Sequence, residues 1–84
     1  MKIVFSKNAW EDYNSWLTDN KKMLSKINAL IKDIQHNSYA GKGKPEPLKY
    51  DLQGLWSRRI DQEHRLVYRV EDDTLLIYAC RYHY

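Results

Sequence analysis

Between Asp33 and Asp51 the chain carries one acid, Glu46, and it stands between two prolines on the basic stretch GKGKPEPLK, Gly41 to Lys49. Proline fixes its own φ and restricts the residue before it, so Pro45 and Pro47 stiffen the backbone that presents this carboxylate. Side chains that could work with it are Lys44 and Lys49 beside it, Arg59 and Arg65 further on, and His83 near the end of the chain. A carboxylate, a histidine and fixed cations are the parts required to cleave RNA without a metal. The 2′-hydroxyl must lose a proton to attack the adjacent phosphate, so a base is needed. The departing 5′-oxygen must gain a proton, which a histidine can supply near neutral pH. Arginines can stabilise the negative charge that grows on the nonbridging oxygens of the phosphorane. Each residue also has an ordinary reading: Glu46 as a solvated loop acid, His83 as part of a frayed terminus, the arginines as surface.

Other chemistries fit less well. A phosphate-binding loop needs GxxxxGK followed by Ser or Thr and a helix, whereas here Pro45 follows Lys44 and blocks helix entry. The histidines, His36, His64 and His83, and the single thiol, Cys80, lack the close spacing of a zinc site, so no metal or cofactor is expected. His36 reads as an exposed residue near a helix end, and His64 as a turn residue that could serve a site. Cys80 falls within strand-like sequence with no helix N-terminus to activate it, and no Ser sits in an elbow motif.

Length and composition narrow the frame. The 84 residues suit one domain, 1–84, with one modest core, and 43% hydrophobic content with three Trp and seven Tyr describes a globular chain. No apolar run approaches the ~18–20 residues of a membrane span, and the start is too short in apolar residues for a signal peptide. One cysteine excludes an internal disulfide and suits a reducing cytoplasm. Net charge is +3, and its layout is uneven: all nine lysines lie at or before Lys49 and all five arginines at or after Arg58. Arginine's rigid fork suits phosphate better than lysine does. On charge alone, nucleic-acid binding and an ordinary salt-bridged sheet face stand level.

The elements that must position these groups can be read from period. Lys2–Phe5 reads as a strand. Ser6 or Asn8 can cap a helix with Trp10, Tyr13, Trp16 and Leu17 on its apolar face. A second helix, opened by Thr18 or Asp19, carries Met23, Leu24, Ile27, Leu30, Ile31 and Ile34, and the two should form an antiparallel hairpin. From Ser38 to Gly54 periodicity fades. Residues 55–60, 64–70 and 74–84 then read as three strands joined by DQE and EDD turns. The expected fold is α+β: an N-terminal strand and a two-helix hairpin packed on one face of a four-stranded antiparallel sheet.

Strand parity sorts the side chains. Trp56, Arg58 and Ile60 share one face, opposed by Leu55, Ser57 and Arg59; Leu66, Tyr68 and Val70 oppose Arg65, Val67 and Arg69. A three-residue turn at DQE would set Arg59 opposite Arg65, a like-charge pair that costs stability unless an anion lies between.

The stretches GKGKPEPLK (41–49), WSRRI (56–60), EHRLVY (63–68) and CRYHY (80–84), with the start MKIVFSKNAWEDY, closely resemble the YoeB-type toxins of the RelE/ParE superfamily. These are small ribosome-dependent messenger-RNA endonucleases of bacterial toxin–antitoxin pairs, and the resemblance spans the chain. It implies a microbial-RNase-like α+β fold. It also implies Glu46 as general base, His83 as general acid, Arg65 against transition-state charge and Tyr84 in positioning, with Lys49 and Arg59 holding phosphate; Lys44, flanking Glu46 on the basic loop, can by its position meet the RNA backbone as well. A cognate YefM-like antitoxin, the ribosome and messenger RNA are the implied partners, and a homodimer is implied without separate support from the sequence. Two other readings stay open: a ParE-like gyrase poison that needs no acid–base pair, and a chain that binds RNA passively.

Overall fold

Ser6 stands in extended backbone and accepts the N–H of Ala9 through its side-chain oxygen at 3.0 Å, which satisfies one of the open donors of the first helix. From that start the computed structural model, which describes residues 1–82, runs β1 (Lys2–Phe5), α1 (Lys7–Asp19), α2 (Lys21–His36), β2 (Glu46–Pro47), β3 (Trp56–Arg59), β4 (Arg65–Glu71) and β5 (Thr74–Ala79). One residue, Asn20, separates the helices; it ends α1 and caps α2 by accepting the Lys22 N–H, so the second helix opens there and not at Thr18 or Asp19. Tyr13 donates its hydroxyl to Asn28 at 2.9 Å. Those two residues lie almost symmetrically about Asn20, as an antiparallel hairpin requires.

The α+β class holds, and the sheet is larger and less uniform than expected. It has five strands in the order β1-β5-β4-β3-β2. The β2–β3, β3–β4 and β4–β5 pairs are antiparallel, but β1 runs parallel to β5. No hairpin ties β1 to β5, so its direction is set by the helix it leads into. Its end must deliver the chain to α1 beside the C-terminal end of β5, where Ser6 N–H donates to Ile77 O and Ser6 Oγ to Tyr78 O. The fifth strand, β2, and a 3-10 turn at Tyr50–Leu52 occupy the stretch in which sequence periodicity fades. Pro47 is tolerated there because β2 is an edge strand.

Both helices cover one sheet face. Trp16, Met23, Ile27, Leu30, Ile31 and Ile34 bury against Leu66, Tyr68, Leu75 and Ile77, with Val70 and Trp56 packed on the margin. The α2 stripe is as its period predicts. The α1 stripe is narrower: Trp16 is buried, whereas Trp10 and Leu17 are exposed, and Trp10 stacks flat on Tyr13 with ring centroids 5.9 Å apart.

The last strand stops at Ala79 instead of continuing to the end of the chain. Cys80 leaves the ladder because helix side chains take its backbone groups. Its N–H donates to Asp12 Oδ2 at 3.0 Å, and its carbonyl accepts the Trp16 indole N–H at 3.0 Å.

Candidate active site

The outer face of the sheet is fixed by the inner one. Since Trp56, Leu66 and Tyr68 pack toward the helices, Ser57, Arg59, Arg65 and Val67 point the other way. Register then aligns two rows. Glu46 pairs with Ser57 and Ser57 with Val67; two residues along β3, Arg59 pairs with Arg65. The DQE turn therefore does set the two arginines opposite each other. Among the described residues neither has a carboxylate within salt-bridge distance.

Each side chain has an identifiable support. Glu46 is exposed on β2, and with Pro47, Leu48, Lys49, Tyr50 and Leu52 it lines a cavity of about 380 Å³. Lys49, exposed, borders the same cavity just before the 3-10 turn. Lys44 is exposed and takes a left-handed φ of 52°, two residues before Glu46. Arg59 is exposed, and its backbone N–H donates to Gly43 O at 2.7 Å, which ties the lysine-bearing loop to the arginine row. Arg65 is half-buried; its Nη1 donates to Asp61 O at 3.0 Å and His64 O at 3.2 Å, so the guanidinium is braced by its own turn. That turn is in turn held by Asp61. Burial opposes ionisation of its carboxyl, but the N–H groups of His64 and Glu63 outweigh it and keep the pKa below the usual carboxylate range. Structure thus gathers Glu46, Lys49, Arg59, Arg65 and the Lys44 loop on one face and edge. His83 and Tyr84 lie outside the described residues.

Two contributors escape sequence reasoning, and a third, His64, is legible there only as a turn residue that could serve a site. Arg58 is a fully buried arginine on the helix side. Its guanidinium donates to Asp33 Oδ2 at 2.6 Å and to the carbonyls of Asn37, Ala40 and Lys42, while Nε donates to the Tyr68 hydroxyl. It thereby anchors the start of the loop that leads to Glu46. The available signal was parity, which put Arg58 on the same face as Trp56 and Ile60. Asp12 is the second: burial raises its pKa although the Cys80 N–H opposes this. His64 is the third, buried against Trp16 and accepting the Tyr82 N–H on Nδ1. Cys80 is buried, and desolvation pushes its thiol up to about 12, so it is no nucleophile.

The chain matches known proteins along its length. A family model described as the YoeB-like toxin of bacterial type II toxin-antitoxin systems matches residues 5–84. Toxin YoeB of Escherichia coli K12 is 58% identical over 84 residues, all of both chains. Among solved structures, a YoeB/ParE toxin from Agrobacterium tumefaciens superposes with a TM-score of 0.97 at 48% identity, again over all of both chains. A Staphylococcus aureus YoeB has been solved in a YoeB–YefM complex, with TM-score 0.92 and 52% identity over 100% of this chain and 98% of that one. A Staphylococcus aureus YoeB has also been solved as a dimer, with TM-score 0.93 and 50% identity over the same shares. With fold, length and more than half of the residues of the Escherichia coli toxin in common, the chain belongs to the YoeB-like toxins of bacterial type II toxin-antitoxin systems.

Proposed function

We propose that this toxin is a metal-independent endoribonuclease that cuts messenger RNA in the ribosomal A site and so stops translation. The observation that carries the reading is the Arg59–Arg65 pair, two cations set side by side on the face and edge that also bear Glu46 and Lys49. Adjacent like charges on a ladder are unfavourable in the free protein and become favourable around a phosphate. In the proposed reaction Glu46 takes the 2′-hydroxyl proton as O2′ bonds to phosphorus. The P–O5′ bond breaks, and His83 gives the leaving oxygen its proton, leaving a 2′,3′-cyclic phosphate and a 5′-hydroxyl. Arg65, braced by the turn carbonyls, meets the charge on the phosphorane, while Arg59, Lys49 and Lys44 hold the RNA backbone and Tyr84 helps position the leaving group. The nucleophile belongs to the RNA, so DNA is not a substrate.

A YefM-like antitoxin, as in the Staphylococcus aureus complex, is the expected cognate partner, with a homodimer as a second assembly and the cytoplasm as the site of action. The test is primer extension on translating complexes. Glu46→Ala and His83→Ala should each slow cleavage about 10²–10⁴-fold with the fold intact. Full activity in both variants would overturn the reading, and supercoiling inhibition without RNA cleavage would move it to a gyrase poison.

A further inference from the structure

Tyr82 takes a φ of 65°, in the left-handed region where a non-glycine residue costs roughly 1–2 kcal/mol. Such strain persists only where the surroundings over-determine it, and it gathers at functional positions. Here two hydrogen bonds enforce it, both from consecutive residues at the start of β4. The Tyr82 N–H donates to His64 Nδ1 at 2.7 Å, and the Arg65 N–H donates to the Tyr82 carbonyl at 3.1 Å.

The His64 ring is itself fixed. It is buried, it meets the Trp16 ring edge-on at 4.7 Å and 82°, and its backbone N–H donates to Asp61 Oδ1 at 2.7 Å. An amide can only donate, so Nδ1 carries no proton and the ring proton sits on Nε2, which lies 3.7 Å from the Glu63 carboxylate. The preceding residues are held as firmly by α1. Cys80 is bonded to Asp12 and Trp16, while Arg81 donates to Ser15 Oγ at 2.5 Å and Asp19 Oδ2 at 2.8 Å, its guanidinium 4.1 Å over the Trp16 ring. The clamp thus runs unbroken through Tyr82, the residue before His83.

We propose that His64 is a positioning residue for RNA cleavage: its Nδ1 holds the Tyr82 backbone in the left-handed turn that immediately precedes His83 in the chain. The proposal rests on the reading of His83 as the proton donor. Arg65 enters the clamp through its backbone and the proposed transition state through its side chain, so the acid and the charge stabiliser share one support. A misplacement of about 1 Å at such a site can cost about 10²-fold.

Two substitutions separate positioning from packing. His64→Phe keeps a ring against Trp16 but has no acceptor, whereas His64→Asn carries an amide oxygen close to the Nδ1 position. On ribosome-bound message, His64→Phe should lower kcat about 10²-fold with KM within about threefold, and His64→Asn should recover most of that loss. Amide exchange gives an activity-free readout: Tyr82 N–H protection should vanish in His64→Phe and persist in His64→Asn. Wild-type kcat in His64→Phe, equal impairment of both variants, or unchanged Tyr82 protection in His64→Phe would each overturn the proposal. If His83→Ala proves fully active, it is the acid assignment that fails, and Tyr82 exchange still decides whether the clamp exists.

Discussion

Arg58 Nη1 lies 2.6 Å from Asp33 Oδ2, and this contact joins the last turn of α2 to β3 beneath the loop that leads to Glu46. The arginine is fully buried, while Asp33 is 24% exposed, so the two partners are not equivalent. A buried guanidinium is tolerable only with its donors engaged. Here Asp33, three loop carbonyls and the Tyr68 hydroxyl engage them. Burial in turn raises the Tyr68 pKa, so its hydroxyl stays protonated and donates to Ser38 O at 2.7 Å. The loop before Glu46 is therefore a built structure and not slack chain.

Arg58→Met should cost about 3–5 kcal/mol, a large share of a small domain's stability, because three carbonyls and a carboxylate lose their donor at once. Asp33→Ala should cost less, since the carbonyls remain. In urea titrations the double variant should lose less than the sum of the two single losses. Additive losses would mean the contact is incidental.

Acid unfolding should separate two carboxyls of opposite sign. The Lys42 N–H and the Arg58 guanidinium hold the Asp33 carboxyl below the usual range, so its contribution is complete above about pH 4 and is lost as pH falls through the lowered folded value. The stability gap between wild type and Asp33→Asn should therefore shrink on acidification. For Asp12 burial raises the pKa, so wild type loses stability as pH rises through that value. Asp12→Asn, which can still accept the Cys80 N–H, should gain on wild type as pH rises above about 4, the ordinary carboxylate value. Parallel pH profiles for wild type and both variants would contradict this.

Gly43 and Gly54 both take positive φ, 81° and 97°, but only one is crowded. A Cβ at Gly43 would lie 2.9 Å from Arg59 O and 3.1 Å from a Leu30 methyl, whereas one at Gly54 would meet nothing within 4 Å. Gly54→Ala should thus show only the backbone penalty of roughly 1–2 kcal/mol. Gly43→Ala should exceed it and also depress cleavage, because it pushes the Lys44 loop off Arg59. Equal losses in thermal melts would show that the loop yields freely.

How much of this was legible depended on sequence distance. The Arg59–Arg65 pairing followed from a three-residue turn, and the α2 stripe from its period, since both are local. Arg58 sat in plain parity with Trp56, yet its acid lies 25 residues away on a helix, so nothing local said it would be buried and satisfied. The same holds at Cys80. The apolar run from Thr74 reads as one long strand, and only Asp12 and Trp16, 68 and 64 residues distant, draw its backbone out of the ladder. The direction of β1 depended on where α1 had to begin, and the pairing of β2 on an edge left open by β3. The His64 clamp was invisible for the same reason, since its partner Tyr82 joins it only in three dimensions.

Arg59 offers the sharpest separation of fold from function. It is exposed, its side chain faces Arg65 across the ladder, and its backbone N–H donates to Gly43 O. Arg59→Gln keeps that N–H and removes a like-charge contact, so stability should hold or rise by up to about 1 kcal/mol. If the arginine row binds RNA phosphate, the same change should weaken binding uniformly across sequences and lower the salt slope by about one unit. Cleavage of ribosome-bound message should fall with it. A surface arginine with only a solvation role would leave both binding and its salt slope untouched. A stability loss without any binding change would place Arg59 in the scaffold. Gain in one property against loss in the other is the signature expected of a charge kept in an unfavourable place for the sake of its ligand.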